Sequence, residues 1–120
     1  MVVDKEVIAE CRNKLIEKRS QILNSVREAS FADLSFTGDE GDQSVSVQLE
    51  KENMAHLQRN KLLLVEIDAA LGRIESGHYG VCEETDEPIE MARLQAIPWT
   101  RLSIEGAEIR EQFTKRFAIR

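Results

Sequence analysis

The chain is predicted to be mainly α: a long antiparallel coiled-coil hairpin with an acidic tip, then a small globular module and a C-terminal helix. Three observations predict this. Two charged stretches, residues 4–29 and about 43–75, carry apolar residues at three- and four-residue steps. Between them, residues 37–44 pack two glycines and three carboxylates into the run TGDEGDQS. After Gly77 the character changes to prolines, single aromatics and short apolar fragments.

In the first stretch Ile8, Cys11, Leu15, Ile22, Val26 and Ala29 form one helical face. Lys18 interrupts it, and its aliphatic stem can lie along the stripe. Phe31, Leu34 and Phe36 are apolar residues placed to pack the hairpin end or touch a partner. Gly38 and Gly41 break the helix, because glycine takes turn conformations readily and loses most freedom in a helix. Two helices joined by one short turn fold back as an antiparallel pair.

The second stretch carries Leu57, Leu64 and Leu71 at seven-residue spacing, and Leu63, Ile67, Ala70 and Ile74 at four-three-four spacing. From Leu62 the apolar face is wide, which predicts more than one neighbour for its C-terminal half. A helix of about 28 residues is about 42 Å long. A hairpin with such arms suits reaching into a deep site. Taken alone, residues 37–44 read most simply as a solvated turn.

Gly77 and Gly80 end this helix, and Pro88 and Pro98 exclude a continuous one beyond it. Residues 91–95 read as a short helical piece flanked by short strands or loops. A last helix is expected from Ile104 or Glu105 to about Phe117, with Ile109, Phe113 and Phe117 on its apolar face. The expected division is 1–75 for the hairpin, 76–106 for the module and 107–120 for the C-terminal helix, within one domain.

Asp and Glu number 22 against 16 Lys and Arg, a net charge of −6. That argues against a broad grip on nucleic acid, which comes from neutralising phosphates. It leaves room for a partner with a basic cleft or channel. No basic run followed by an apolar one opens the chain, and the longest apolar run, 62–65, is too short for a bilayer. A cytoplasmic monomer with both cysteines, Cys11 and Cys82, reduced is expected. No nucleophile-base-acid set and no phosphate-cradling loop is visible, so an enzyme is not expected.

Residues 80–106 have the outline of a small zinc module without its ligands. Such a module needs two C-x2-C pairs, each supplying two corners of a tetrahedron. Here Cys82 stands opposite Thr85 at that spacing, and Ser103 opposite Gly106. Neutral hydroxyls are poor zinc ligands and glycine has no side chain, so no metal and no other cofactor is expected. A degenerate site of Cys82 with His78, Glu83 or Asp86 fits no standard spacing. Cys82 then reads as a small buried hydrophobe. Trp99, Tyr79, Ile97 and Phe113 are the expected fillers of the space a metal would organise.

The run RIESGHYGVCEE at 73–84, then Glu87-Pro88-Ile89, then ARLQA at 92–96 and Pro98, strongly resembles the C-terminal module of the DksA/TraR family. The family pattern runs R-I-x-x-G-x-Y-G-x-C-x-x-C-G-x-P-I, A-R-L-x-A-x-P and C-x-x-C. Its members bind bacterial RNA polymerase through the secondary channel. The resemblance covers the last third with high specificity, and the order helix, acidic loop, helix extends it over nearly the whole chain. It implies a transcription regulator that inserts an acidic coiled-coil tip near the polymerase active site without reading DNA directly. Asp39 and Asp42 fall at the tip aspartates, Ser44 where alanine is usual, and Arg59 where an arginine contacts polymerase. Asp42 precedes the second helix, where a carboxylate caps free N–H groups.

Three of the four zinc ligands are missing, which implies a metal-free branch. The basic positions that help bind the alarmone ppGpp correspond to Glu66, Ile97 and Ala107, which implies little ppGpp dependence. Two alternatives stand beside this reading: a Gre-like transcript cleavage factor, whose tip carboxylates hold a catalytic Mg²⁺, and a structural coiled-coil adaptor.

Overall fold

A computed structural model describes the backbone of residues 4–35 and 43–118, and side chains at 4–28 and 47–117. Four helices follow in order: α1 (Lys5–Ser35), α2 (Gln43–Ser76), α3 (Met91–Ala96) and α4 (Ile104–Ala118). α1 runs six residues past the end expected from its stripe, whereas α2, α3 and α4 lie within a residue of the expected bounds. Asp39 and Asp42 lie outside the described residues. Ser44 falls in the first turn of α2, with its side chain outside those described.

The chain forms two compact units, residues 17–65 and residues 1–16 with 66–120. The start of α1 therefore shares a unit with the end of α2, while the end of α1 shares one with the start of α2. That arrangement is antiparallel pairing of the two helices, as the short connection requires.

In the unit of residues 17–65, Ile22 is buried, whereas Val47, Leu49, Met54, Leu62 and Val65 are exposed. The wide apolar face expected from Leu62 onward is thus only partly covered. Leu63 and Leu64 are half-buried and Leu62 is 68% exposed. Arg59 is exposed in the same unit, and Asn60 Nδ2 lies 3.4 Å from His56 Nε2.

The other unit holds the core. Cys11, Leu15, Ile67, Ala70, Cys82 and Leu94 are fully buried, with Val7, Tyr79 and Ile89 nearly so. Burying one such side chain contributes about 2 kcal/mol. Of the two α2 stripes, the four-three-four one supplies Ile67 and Ala70 to this core, while Leu57, Leu64 and Leu71 are only half-buried. Both cysteines are free thiols, and Cys11 Sγ donates to Leu94 O at 3.6 Å.

α2 ends as a glycine-terminated helix should. Gly77 takes φ +79°, its N–H bonds Ile74 O at 3.3 Å, and His78 N–H bonds Arg73 O at 2.9 Å. Of the short strands or loops expected here, the described residues show loops with one antiparallel bridge, Val81 to Pro88. Proline fits there because the ladder bonds go to its neighbours: Cys82 N–H to Glu87 O and Ile89 N–H to Gly80 O, both 2.8 Å. Asp86, at φ +57°, turns the chain between them.

Candidate functional site

The four positions of the dismantled zinc set converge in the core-bearing unit. Cys82 sits on the tight turn closed by Asp86 N–H to Cys82 O at 2.9 Å. Ser103 stands just before α4 and accepts the N–H of Gly106 at 3.0 Å, as an N-cap residue does. A second cap comes from the adjoining segment, where the Glu90 carboxylate accepts the Ile104 N–H at 3.1 Å. Anionic oxygens suit a helix start because the free N–H groups carry partial positive charge.

Cys82, Ser103 and Gly106 are buried and Thr85 is half-buried. Gly106 is where the side chain is most tightly excluded. A Cβ built there would overlap Cys82 Sγ and stand 3.3 Å from Glu84 Cβ and 3.4 Å from Ser103 Oγ. The sulfur therefore occupies the ground a fourth ligand's side chain would need. Burial pushes the Cys82 thiol up, but hydrogen bonds from the Ser103 and Thr85 side chains and from their backbones outweigh it. The result is a pKa lowered to about 6.

This donor set does not fit zinc. A tetrahedral site needs four thiolate, imidazole or carboxylate ligands; here there is one thiol, two neutral hydroxyls and no side chain. The degenerate alternative also fails. His78 Nδ1 pairs with Ser76 Oγ at 3.1 Å, and the Glu83 carboxylate faces two arginines. Among the described residues, no group of three or more His, Cys, Asp or Glu is placed to hold a metal.

Of the four expected space-fillers, Tyr79 matches best. It is buried, and its hydroxyl donates to Pro98 O at 2.8 Å. Burial, with a hydrogen bond to Cys11, holds that hydroxyl far above the usual phenol range. Trp99 and Ile97 are half-buried. Phe113 is 64% exposed and stacks on Phe117 with ring centroids 4.7 Å apart, so it fills nothing in the module. Cys82 itself, fully buried with its Sγ where a side chain at 106 would stand, closes the space instead.

Side chains also hold the loop before α4. Arg93 Nε donates to Leu102 O at 2.8 Å, and Thr100 Oγ1 to the same oxygen at 3.0 Å. Arg73 Nη2 reaches Trp99 O and Thr100 O, both at 3.4 Å, and burial lowers its pKa. Sequence reasoning missed one feature altogether. Arg101 Nε meets Glu66 Oε2 at 2.7 Å and Arg101 Nη1 meets Glu83 Oε1 at 2.9 Å. Arg110 meets Glu84 at 3.0 Å and Glu83 at 3.5 Å. No local spacing signals an ion network whose members are up to 44 positions apart (66 to 110).

These features define a class: paired long helices joined to a zinc-finger-type module whose ligand set has been taken apart. Residues 77–112 match the family described as the prokaryotic dksA/traR C4-type zinc finger. The chain is 36% identical over 104 residues to the RNA polymerase-binding transcription factor DksA of Caulobacter vibrioides, covering 84% of this chain and 73% of that protein. It belongs to the DksA/TraR family. The structure of transcription factor DksA2 from Pseudomonas aeruginosa superposes with a TM-score of 0.81 at 32% identity, over 93% of this chain and 88% of that one. A Chlamydia trachomatis protein, titled an RNA polymerase binding protein and transcriptional regulator, matches at TM-score 0.55 and 24% identity, covering 93% and 95%. The latter likeness bears on the fold alone. Among the described residues no helix is long and apolar enough to cross a membrane.

Proposed function

We propose that this protein binds bacterial RNA polymerase and regulates transcription, inserting the acidic segment 37–44 into the secondary channel. The observation that carries the proposal is the 36% identity, across 84% of the chain, to a protein named an RNA polymerase-binding transcription factor. Asp39 and Asp42 act near the active site through their charge, and Ser44 keeps the following turn small. Arg59, exposed on α2, contacts the polymerase. The role is regulatory rather than catalytic, and the acting species is a cytoplasmic monomer.

Little ppGpp dependence is part of the proposal. Of the three positions that would need cations, Glu66 is anionic and already engaged with Arg101, and Ile97 and Ala107 are uncharged. A polyphosphate facing a fixed carboxylate is repelled rather than held. The test is transcription in vitro with purified polymerase, with and without the protein and ppGpp. The expected result is a promoter-dependent change that ppGpp alters little and that Asp42→Asn abolishes. Strong ppGpp synergy would overturn the ppGpp reading, and full activity of Asp42→Asn would overturn the tip chemistry. Absence of binding to core polymerase would overturn the whole.

A further inference from the structure

The two halves of the module are the segments a bound zinc would cross-link, the turn at 82–85 and the stretch at 103–106. With the donor set unfit for zinc, something else must hold them. Between Cys82 and Thr85 lie Glu83 and Glu84, and flanking Ser103 and Gly106 lie Arg101 and Arg110. All four are joined: Glu83 to Arg101 at 2.9 Å, Glu83 to Arg110 at 3.5 Å, and Glu84 to Arg110 at 3.0 Å. Glu66 of α2 extends the chain to Arg101 at 2.7 Å. The Glu83 N–H also donates to Arg101 O at 3.0 Å, so backbone and side chains bridge at the same place.

We infer that this five-member ion network, Glu66–Arg101–Glu83–Arg110–Glu84, is the cross-link that stands in for the metal and sets the module against α2. Isolated surface pairs contribute little, but pairs sharing members in one network reinforce each other. Arg101, Glu83 and Arg110 each serve two partners; the Arg101–Glu83 bond, shorter and less exposed than the Arg110–Glu83 one, is the central link. The sulfur–hydroxyl contacts beneath are short-range packing, while the network spans both halves, α2 and α4. A module held in this way responds to ionic strength, because salt screens partly exposed charges. A metal-held one responds to chelators.

The test is unfolding of the full chain followed by the fluorescence of its single Trp, Trp99, which lies in the module. Arg101→Gln, Glu83→Gln and their double variant form one cycle, and Arg110→Gln with Glu84→Gln a second, peripheral one. The expected result is a fall of about 5 °C in the Trp99 midpoint for either central single variant. The double variant should fall by less than the sum of its singles. High salt should lower the wild-type midpoint more than that of the central double variant, and a strong chelator should leave it unchanged. The peripheral cycle should show the same sign with smaller shifts, and it remains readable if a central variant does not fold. Additive central singles, a salt-indifferent midpoint, or stoichiometric zinc whose removal unfolds the module would each overturn the inference.

Discussion

Replacing Gly106 by alanine separates two opposing effects whose sizes the structure sets. Alanine is up to about 1 kcal/mol better than glycine within a helix, and Gly106 lies in the first turn of α4. At position 106, however, the new methyl overlaps Cys82 Sγ and stands 3.3 Å from Glu84 Cβ. Sγ cannot swing aside cheaply, because Cys82 is fully buried. Overpacking of this kind costs about 1–3 kcal/mol. The net expectation for Gly106→Ala is a loss of about 1 kcal/mol, or about 5 °C in the unfolding midpoint. In a Cys82→Ala background the sulfur is gone and the methyl enters the space it leaves. There the same change should stabilise by about 1 kcal/mol, so the effect reverses sign. Urea unfolding of the four proteins in the cycle reads this directly. If Gly106→Ala stabilises the wild type as much as the Cys82→Ala protein, the sulfur does not fill that space.

Three further outcomes follow from the same geometry. The Cys82 thiol is lowered from its ordinary value of 9.0 to about 6, so its contribution is complete above the unfolded thiol range and is lost as pH falls through 6. Stability should therefore rise between pH 6 and 9, and Cys82→Ala should remove that slope in unfolding measured across the range. Tyr79→Phe deletes the donor to the Pro98 carbonyl in a buried place and should cost about 1–3 kcal/mol in denaturant unfolding. Glu90→Gln removes the charge that caps α4 and should cost about 0.5–1 kcal/mol, with the loss shrinking in high salt.

The helices were readable because their apolar residues repeat at helical steps. Cys11, Leu15 and Ile22 were picked from the stripe of α1 and are buried. Val7 was missed because it adjoins Ile8, and composition does not say which of two neighbours faces inward. Thr85 was placed by counting from Cys82, while Ser103 and Gly106, with no thiol to mark them, were placed by the outline of a zinc module. What packs and bridges the two halves of the module was not readable. Phe113 was the expected filler because it is large, but α4 leaves it 64% exposed, and a vanished side chain at 106 lets sulfur do the filling. The ion network escaped for a related reason. Glu66, Glu83 and Arg101 look like ordinary solvated charges until the fold brings them within 3 Å of one another's atoms.

The closeness of Gly106 to Cys82 also makes a four-cysteine set hard to build on this chain. The family match is to a C4-type zinc finger, and a four-cysteine set here would require cysteines at Thr85, Ser103 and Gly106 together. Any side chain regained at 106 first meets the sulfur already there and is penalised before it can ligate anything. The step at 106 therefore runs uphill unless the sulfur of Cys82 moves first. A glycine at 106 thus does more than end a ligand set: it leaves the place of a fourth side chain filled by sulfur, so zinc chemistry is closed off by packing as well as by the absence of donors.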